Sequence, residues 1–93
     1  MGLTDRWPHL NEFCRLAAEF PELQVWLFGS ALKSSSPADL DVLVTYQDRS
    51  IVVALRAARG WDDYDPPLRI IAMTRGEERF YDFKASTGAM RLL

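Results

Sequence analysis

The 93-residue sequence holds one cysteine, Cys14, and one histidine, His9. A lone cysteine excludes a disulfide framework and a multi-cysteine zinc site. A lone histidine excludes paired-histidine metal motifs. Charge of one sign is also lacking: 11 basic and 13 acidic groups leave a formal charge of −2. Without a broad electropositive field, strong binding to duplex nucleic acid is not expected. No apolar run approaches the roughly 18–20 residues that span a bilayer, and the first residues lack a signal peptide's apolar stretch. The expected compartment is therefore the cytoplasm, with no membrane association. Repeats and low-complexity tracts are absent too. What remains is an ordinary globular balance, 48% apolar and 26% charged, the opposite of a disordered tail. Such a length predicts a single domain over residues 1–93, with one core and one small sheet.

Pro8 suits the first position of a helix, where its missing N–H costs nothing. Leu10, Phe13, Ala17 and Phe20 then form one apolar stripe, and Pro21 ends the element, predicting a helix from about Pro8 to Glu19. Leu23 to Phe28 reads as a buried strand stopped by Gly29. Gly29-Ser30 opens a helical turn over Ala31 to Lys33, and Ser34-Ser35-Ser36-Pro37 is loop chemistry. Leu40 to Thr45 is the second strand. Ser50 is the expected N-cap of a helix from Ile51 to Arg59, with Gly60 as its stop. Trp61 to Pro67 is an acidic, proline-ended loop, and Leu68 to Met73 the third strand. Thr74-Arg75-Gly76-Glu77 fits a capping box. It predicts a helix through about Ala85 that carries Phe80 and Phe83 inward, broken at Gly88. The apolar tail from Ala89 to Leu93 packs as a short edge strand or against a partner. This order predicts an α/β or α+β fold, a small mixed sheet of three or four strands with helices packed against it.

Function has to come from a site. The informative stretch is Phe28-Gly29-Ser30, then eight residues, 31–38, then Asp39-Leu40-Asp41 running into Val42-Leu43-Val44. Side chains two apart on a strand point the same way, so Asp39 and Asp41 present two carboxylates on one face while Leu40, Val42 and Val44 face the core. Paired carboxylates repel unless a cation lies between them. Hard oxygen ligands of this kind suit Mg²⁺ or Mn²⁺, which keep several waters and also take phosphate oxygens. Gly29, without a Cβ, lets a phosphate approach the backbone. The Ser30 hydroxyl and the amides opening the turn at Ala31 would point at that phosphate. A lone Asp-x-Asp is weak evidence; the ordered pair, each half on its own strand, is much stronger.

This stretch resembles the nucleotidyltransferase superfamily that includes DNA polymerase beta, and most closely its minimal nucleotidyltransferases. Their signature is a Gly-Ser at a strand end, a short helical turn and an Asp-x-Asp on the next strand, matched here by Gly29, Ser30, Asp39 and Asp41. Length and element order match as well, so the resemblance covers most of the chain. It implies transfer of a nucleoside monophosphate, usually from ATP, to a hydroxyl with Mg²⁺. It also implies a protein partner in some settings, where such small proteins pair as antitoxins with a HEPN-family toxin. Two features depart from the family. The loop between the two halves is shorter than is common. The third carboxylate that the family places on the third strand falls at or near Arg69, and no Asp or Glu lies between Asp65 and Glu77.

Arg69 has two readings: a side chain on an exposed sheet face, or a guanidinium set against Asp39, Asp41 or a phosphate. Asp62, Asp63 and Asp65 read as a solvated loop, and Cys14 as a small buried hydrophobe. His9 reads as first-turn surface, and Trp7, Trp26 and Trp61 as packing residues. Phe80, Tyr81 and Phe83 with Met90, Leu92 and Leu93 exceed what one face readily buries. They point to a partner interface, or to a homo-oligomer formed through the C-terminal segment.

Overall fold

The computed structural model describes residues 3–93. After a 3₁₀ turn at Leu3–Arg6, the elements are α1 (Pro8–Ala17), β1 (Gln24–Phe28), a 3₁₀ turn at Gly29–Leu32, β2 (Leu40–Tyr46) and α2 (Arg49–Ala57). A 3₁₀ turn at Trp61–Asp63 leads to β3 (Leu68–Thr74), α3 (Arg75–Tyr81), α4 (Phe83–Thr87) and β4 (Met90–Arg91). The strands form one mixed sheet in the order β3-β2-β1-β4. β2 runs antiparallel to β1 and parallel to β3, and β4 pairs antiparallel with β1. The α+β expectation holds, with four strands. No helix among the described residues is long and apolar enough to cross a membrane.

Strand alternation sorts the side chains between two faces. Val25, Leu27, Leu40, Val42 and Val44 are fully buried on one face, against Leu10, Phe13 and Ala17 of α1 and Leu55 of α2. Trp61 seals this core. Its ring meets Phe13 edge-on at 5.2 Å, and its indole N–H donates to the Leu55 carbonyl at 2.9 Å. The opposite face carries Trp26, Phe28, Asp41, Leu43 and Thr45, and α4 covers part of it. Phe83 meets Phe28 edge-on at 4.9 Å, and the Lys84 ammonium lies 4.5 Å from the Trp26 ring centroid.

Several local expectations change. α1 ends at Ala17, two residues early. The N-cap of α2 is Asp48, not Ser50: its carboxylate accepts from the Ser50 N–H at 2.9 Å and the Ser50 hydroxyl at 2.7 Å. Ser50 is thus the donor to the cap. The capping box at Thr74 and Glu77 is present. The helix it starts breaks at Asp82, which adopts a left-handed conformation with φ of 52°. Glu78 is the residue of α3 that turns inward, and Phe80 lies about 200° further round at 100° per residue. Phe80 is accordingly 82% exposed, contrary to the inward placement, whereas Phe83 does pack inward.

His9 is buried instead of lying on the surface. Its ring stacks on Tyr64 at 4.8 Å, and Nε2 donates to the Pro66 carbonyl at 2.8 Å. Asp62, Asp63 and Asp65 of that loop are exposed, as expected. Cys14 is buried, and burial pushes its thiol up to about 11, so it stays protonated and unreactive at neutral pH.

Candidate functional site

The β1–β2 ladder ends with Phe28 opposite Asp41, so the chain leaves β1 at Gly29 beside the start of β2. Gly29 has φ of +79°, a conformation that L side chains rarely adopt. A Cβ placed there would lie 2.6 Å from Oδ2 of Asp41. The bare backbone expected to admit a phosphate therefore admits the Asp41 carboxylate first. Ser30 follows, exposed, on a 3₁₀ turn that Ala31 anchors in the core, and its carbonyl accepts from the N–H groups of Lys33 and Ser34 at 3.0 and 2.9 Å.

On the other side of β2, Asp41 is in register with Arg69 of β3. The Arg69 guanidinium reaches both acids: Nη1 lies 3.9 Å from Oδ2 of Asp39, and Nε 4.0 Å from Oδ1 of Asp41. These are loose ion pairs, too long for hydrogen bonds. Both readings of Arg69 thus apply, for its side chain is 62% exposed and yet faces the two carboxylates. Asp39 is 36% and Asp41 20% exposed. Burial raises the Asp41 carboxyl above the ordinary carboxylate range; Arg69 pulls it back, and Asp39 pushes it up again.

The sites read from the sequence thus converge. Gly29, Asp39, Asp41 and Arg69 meet at one end of the sheet, and Ser30 adjoins them along the chain. Two carboxylates set about one cationic group are the kind of oxygen donors that a small hard cation takes. Among the described residues no group of three or more His, Cys, Asp or Glu side chains is placed to hold a metal, so a metal here would rest on Asp39 and Asp41. Phe83, expected to face inward, packs on Phe28, the residue paired with Asp41; its exact partner was not legible, since that contact depends on the break at Asp82. Comparison with known proteins adds no family: no protein-family model matches the chain, and no curated protein matches it.

Proposed function

We propose that the chain is a nucleotidyltransferase that transfers a nucleoside monophosphate from a nucleoside triphosphate, ATP first among them, to a hydroxyl acceptor. The observation that carries this reading is the convergence of Asp39 and Asp41 on a single cationic group beside a glycine whose backbone has to be bare. In the transfer, the acceptor oxygen bonds to the α-phosphorus, the bond from that phosphorus to the bridging oxygen breaks, and pyrophosphate leaves with the electron pair. The hydroxyl proton goes to solvent. Asp39 and Asp41 would hold Mg²⁺ or Mn²⁺, which supplies charge neutralisation on the triphosphate and alignment for in-line attack. Gly29 and Ser30 border the phosphates. Arg69, exposed and held to the carboxylates only by loose ion pairs, would turn to a phosphate oxygen, to which a guanidinium is well matched.

One observation favours a second reading. The β3 position in register with Asp41 is Arg69, so no carboxylate stands there to take the acceptor proton. A chain that binds nucleotide but has lost the chemistry would serve as a partner-binding module, or as an antitoxin subunit beside a HEPN-type toxin in the cytoplasm. Exposed Phe80, Tyr81 and Met90 would give a partner apolar surface.

Thermal unfolding with Mg-ATP tests the site that both readings share. A hundredfold excess over Kd is expected to stabilise the protein by about 2.7 kcal/mol, and Asp41→Asn to remove the gain. No shift at millimolar Mg-ATP would sink both. Label transfer from α-³²P-ATP then separates them, since robust labelling of an acceptor supports the enzyme. Nucleotide binding without transfer, together with co-purification of a protein encoded alongside, supports the module.

A further inference from the structure

At the opposite end of the same sheet face, Gln24 pairs with Thr45, roughly 13 Å along β2 from Asp41 at about 3.3 Å per residue. A cavity of about 280 Å³ opens there, lined by Gln24, Thr45, Arg75, Glu78, Arg79 and Lys84. We infer that this cavity binds a small phosphate-bearing ligand as its dianion. The inference stands apart from the nucleotide reading, because it shares no residue with the Asp39/Asp41 site.

The charge balance is the first support. Three cations against one carboxylate leave a surplus of two positive charges around the cavity, which matches a phosphate monoester near neutral pH. The second support is that the acids nearby are already engaged. Glu78 is 5% exposed and held by Lys84, whose backbone N–H donates to Oε2 at 3.0 Å and whose Nζ lies 3.5 Å from Oε1. Glu77 closes the capping box with the Thr74 N–H at 2.9 Å. The Glu22 carboxylate accepts from the N–H groups of Gln47 and Asp48, and Arg75 reaches only the Glu22 carbonyl, at 3.2 Å. Among the described residues neither Arg75 nor Arg79 has a carboxylate partner.

Helical spacing is the third support. Arg75 and Arg79 are four residues apart on α3, where like charges repel and weaken a helix unless an anion lies between them. Two guanidinium forks lining one cavity suit the oxygens of one phosphate. The floor is polar: the Thr45 hydroxyl donates to Oε1 of Gln24 at 3.4 Å, which leaves the Gln24 amide nitrogen as a further donor.

Titration of ¹⁵N-labelled protein with inorganic phosphate at constant ionic strength, followed by phenyl phosphate and acetate, tests this. Phosphate and phenyl phosphate are expected to saturate amide shifts centred on Thr45, Arg79 and Lys84. Singly charged acetate is expected to bind more weakly. Arg79→Ala, an exposed substitution whose folding the same spectra verify, is expected to weaken phosphate about tenfold, the scale of one charge-assisted contact. Arg75→Ala should do likewise. Asp41→Asn should leave phosphate binding intact while abolishing stabilisation by Mg-ATP, so the two proposals can fail separately. Non-saturating shifts, acetate binding as tight as phosphate, or an unaltered affinity in a folded Arg79→Ala would each overturn the inference. So would shifts centred on Gly29 and Asp41, or binding of an acidic peptide with none of phosphate.

Discussion

A methyl group on Gly29 would lie 2.6 Å from Oδ2 of Asp41, on a backbone whose φ is +79°. Gly88 has a similar φ of +66° but nothing within 4 Å of its missing Cβ. The two glycines therefore separate strain from collision. Gly88→Ala is expected to cost about 1 kcal/mol in urea unfolding, the price of left-handed backbone. Gly29→Ala is expected to cost roughly 2–3 kcal/mol, since Asp41 must move as well. Equal costs would mean that Asp41 gives way freely. Asp41 itself makes a second prediction. Burial raises its carboxyl above the ordinary 3.8, and only Arg69 opposes this. The native state then keeps the proton to higher pH than the unfolded chain. The Asp41 contribution to stability accordingly falls as pH rises through the window just above 3.8, and stays lower beyond it. In metal-free protein Asp41→Asn is expected to raise Tm at pH 7, with the gain vanishing at pH near 3. Arg69→Ala is expected to lower Tm at pH 7. A carboxylate that costs stability until a cation arrives is the pattern of a ligand-binding group. A Tm for Asp41→Asn below wild type at pH 7 would argue for a structural role instead. Nearly all of this site was legible in the sequence, because Gly29, Ser30, Asp39 and Asp41 sit at strand ends that local patterning locates. What stayed hidden was which neighbour fills the space over Gly29, for that depends on the register of β1 against β2.

Among the elements, α3 and α4 show where patterning stops. The capping box at Thr74 and Glu77 is written in the sequence and forms as expected. The break at Asp82 is not, because aspartate enters the left-handed region only when its surroundings reward it. Here the Asp82 N–H reaches back to the Glu78 carbonyl, and the following Lys84 N–H bonds to the Glu78 carboxylate at 3.0 Å. Phe83 is thereby carried onto Phe28 while Phe80 stays in solvent. Glycine at position 82 would keep this geometry without the Cβ strain. Asp82→Gly is expected to be neutral or to stabilise by up to about 1 kcal/mol, with amide shifts of α4 unchanged. A large loss would show that the Asp82 side chain, rather than its backbone, holds the two helices apart. The burial of His9 is hidden for a similar reason: its place in the first turn of α1 reads as surface, and only the return of Tyr64 and Pro66 over it creates a buried slot.

At the scale of the whole molecule, the sheet order β3-β2-β1-β4 depends on which strands meet. Apolar patterning located each strand but carries no information about its neighbours. The C-terminal segment illustrates the point. Its apolar residues left open an edge strand or a partner contact, and the fold uses them on β1. Met90 and Arg91 pair with Leu27 and Trp26. The N–H groups of Leu92 and Leu93 donate to the Val25 carbonyl at 2.8 and 3.2 Å, and the Val25 N–H donates to the Leu93 carbonyl at 3.3 Å. Leu92 and Leu93 also pack on the core. Removing residues 89–93 would take away these bonds and two half-buried leucines, a loss of roughly 3–5 kcal/mol. A chain of this length has only about 5–14 kcal/mol in total, at 0.05–0.15 kcal/mol per residue. The truncated protein should therefore unfold at markedly lower urea. It should also self-associate more than the full chain in sedimentation velocity, because β1 would become a bare, apolar edge. If truncation instead left stability unchanged and abolished an existing dimer, residues 89–93 would be acting between chains, and the pairing of β4 with β1 would have to be exchanged across a two-fold axis.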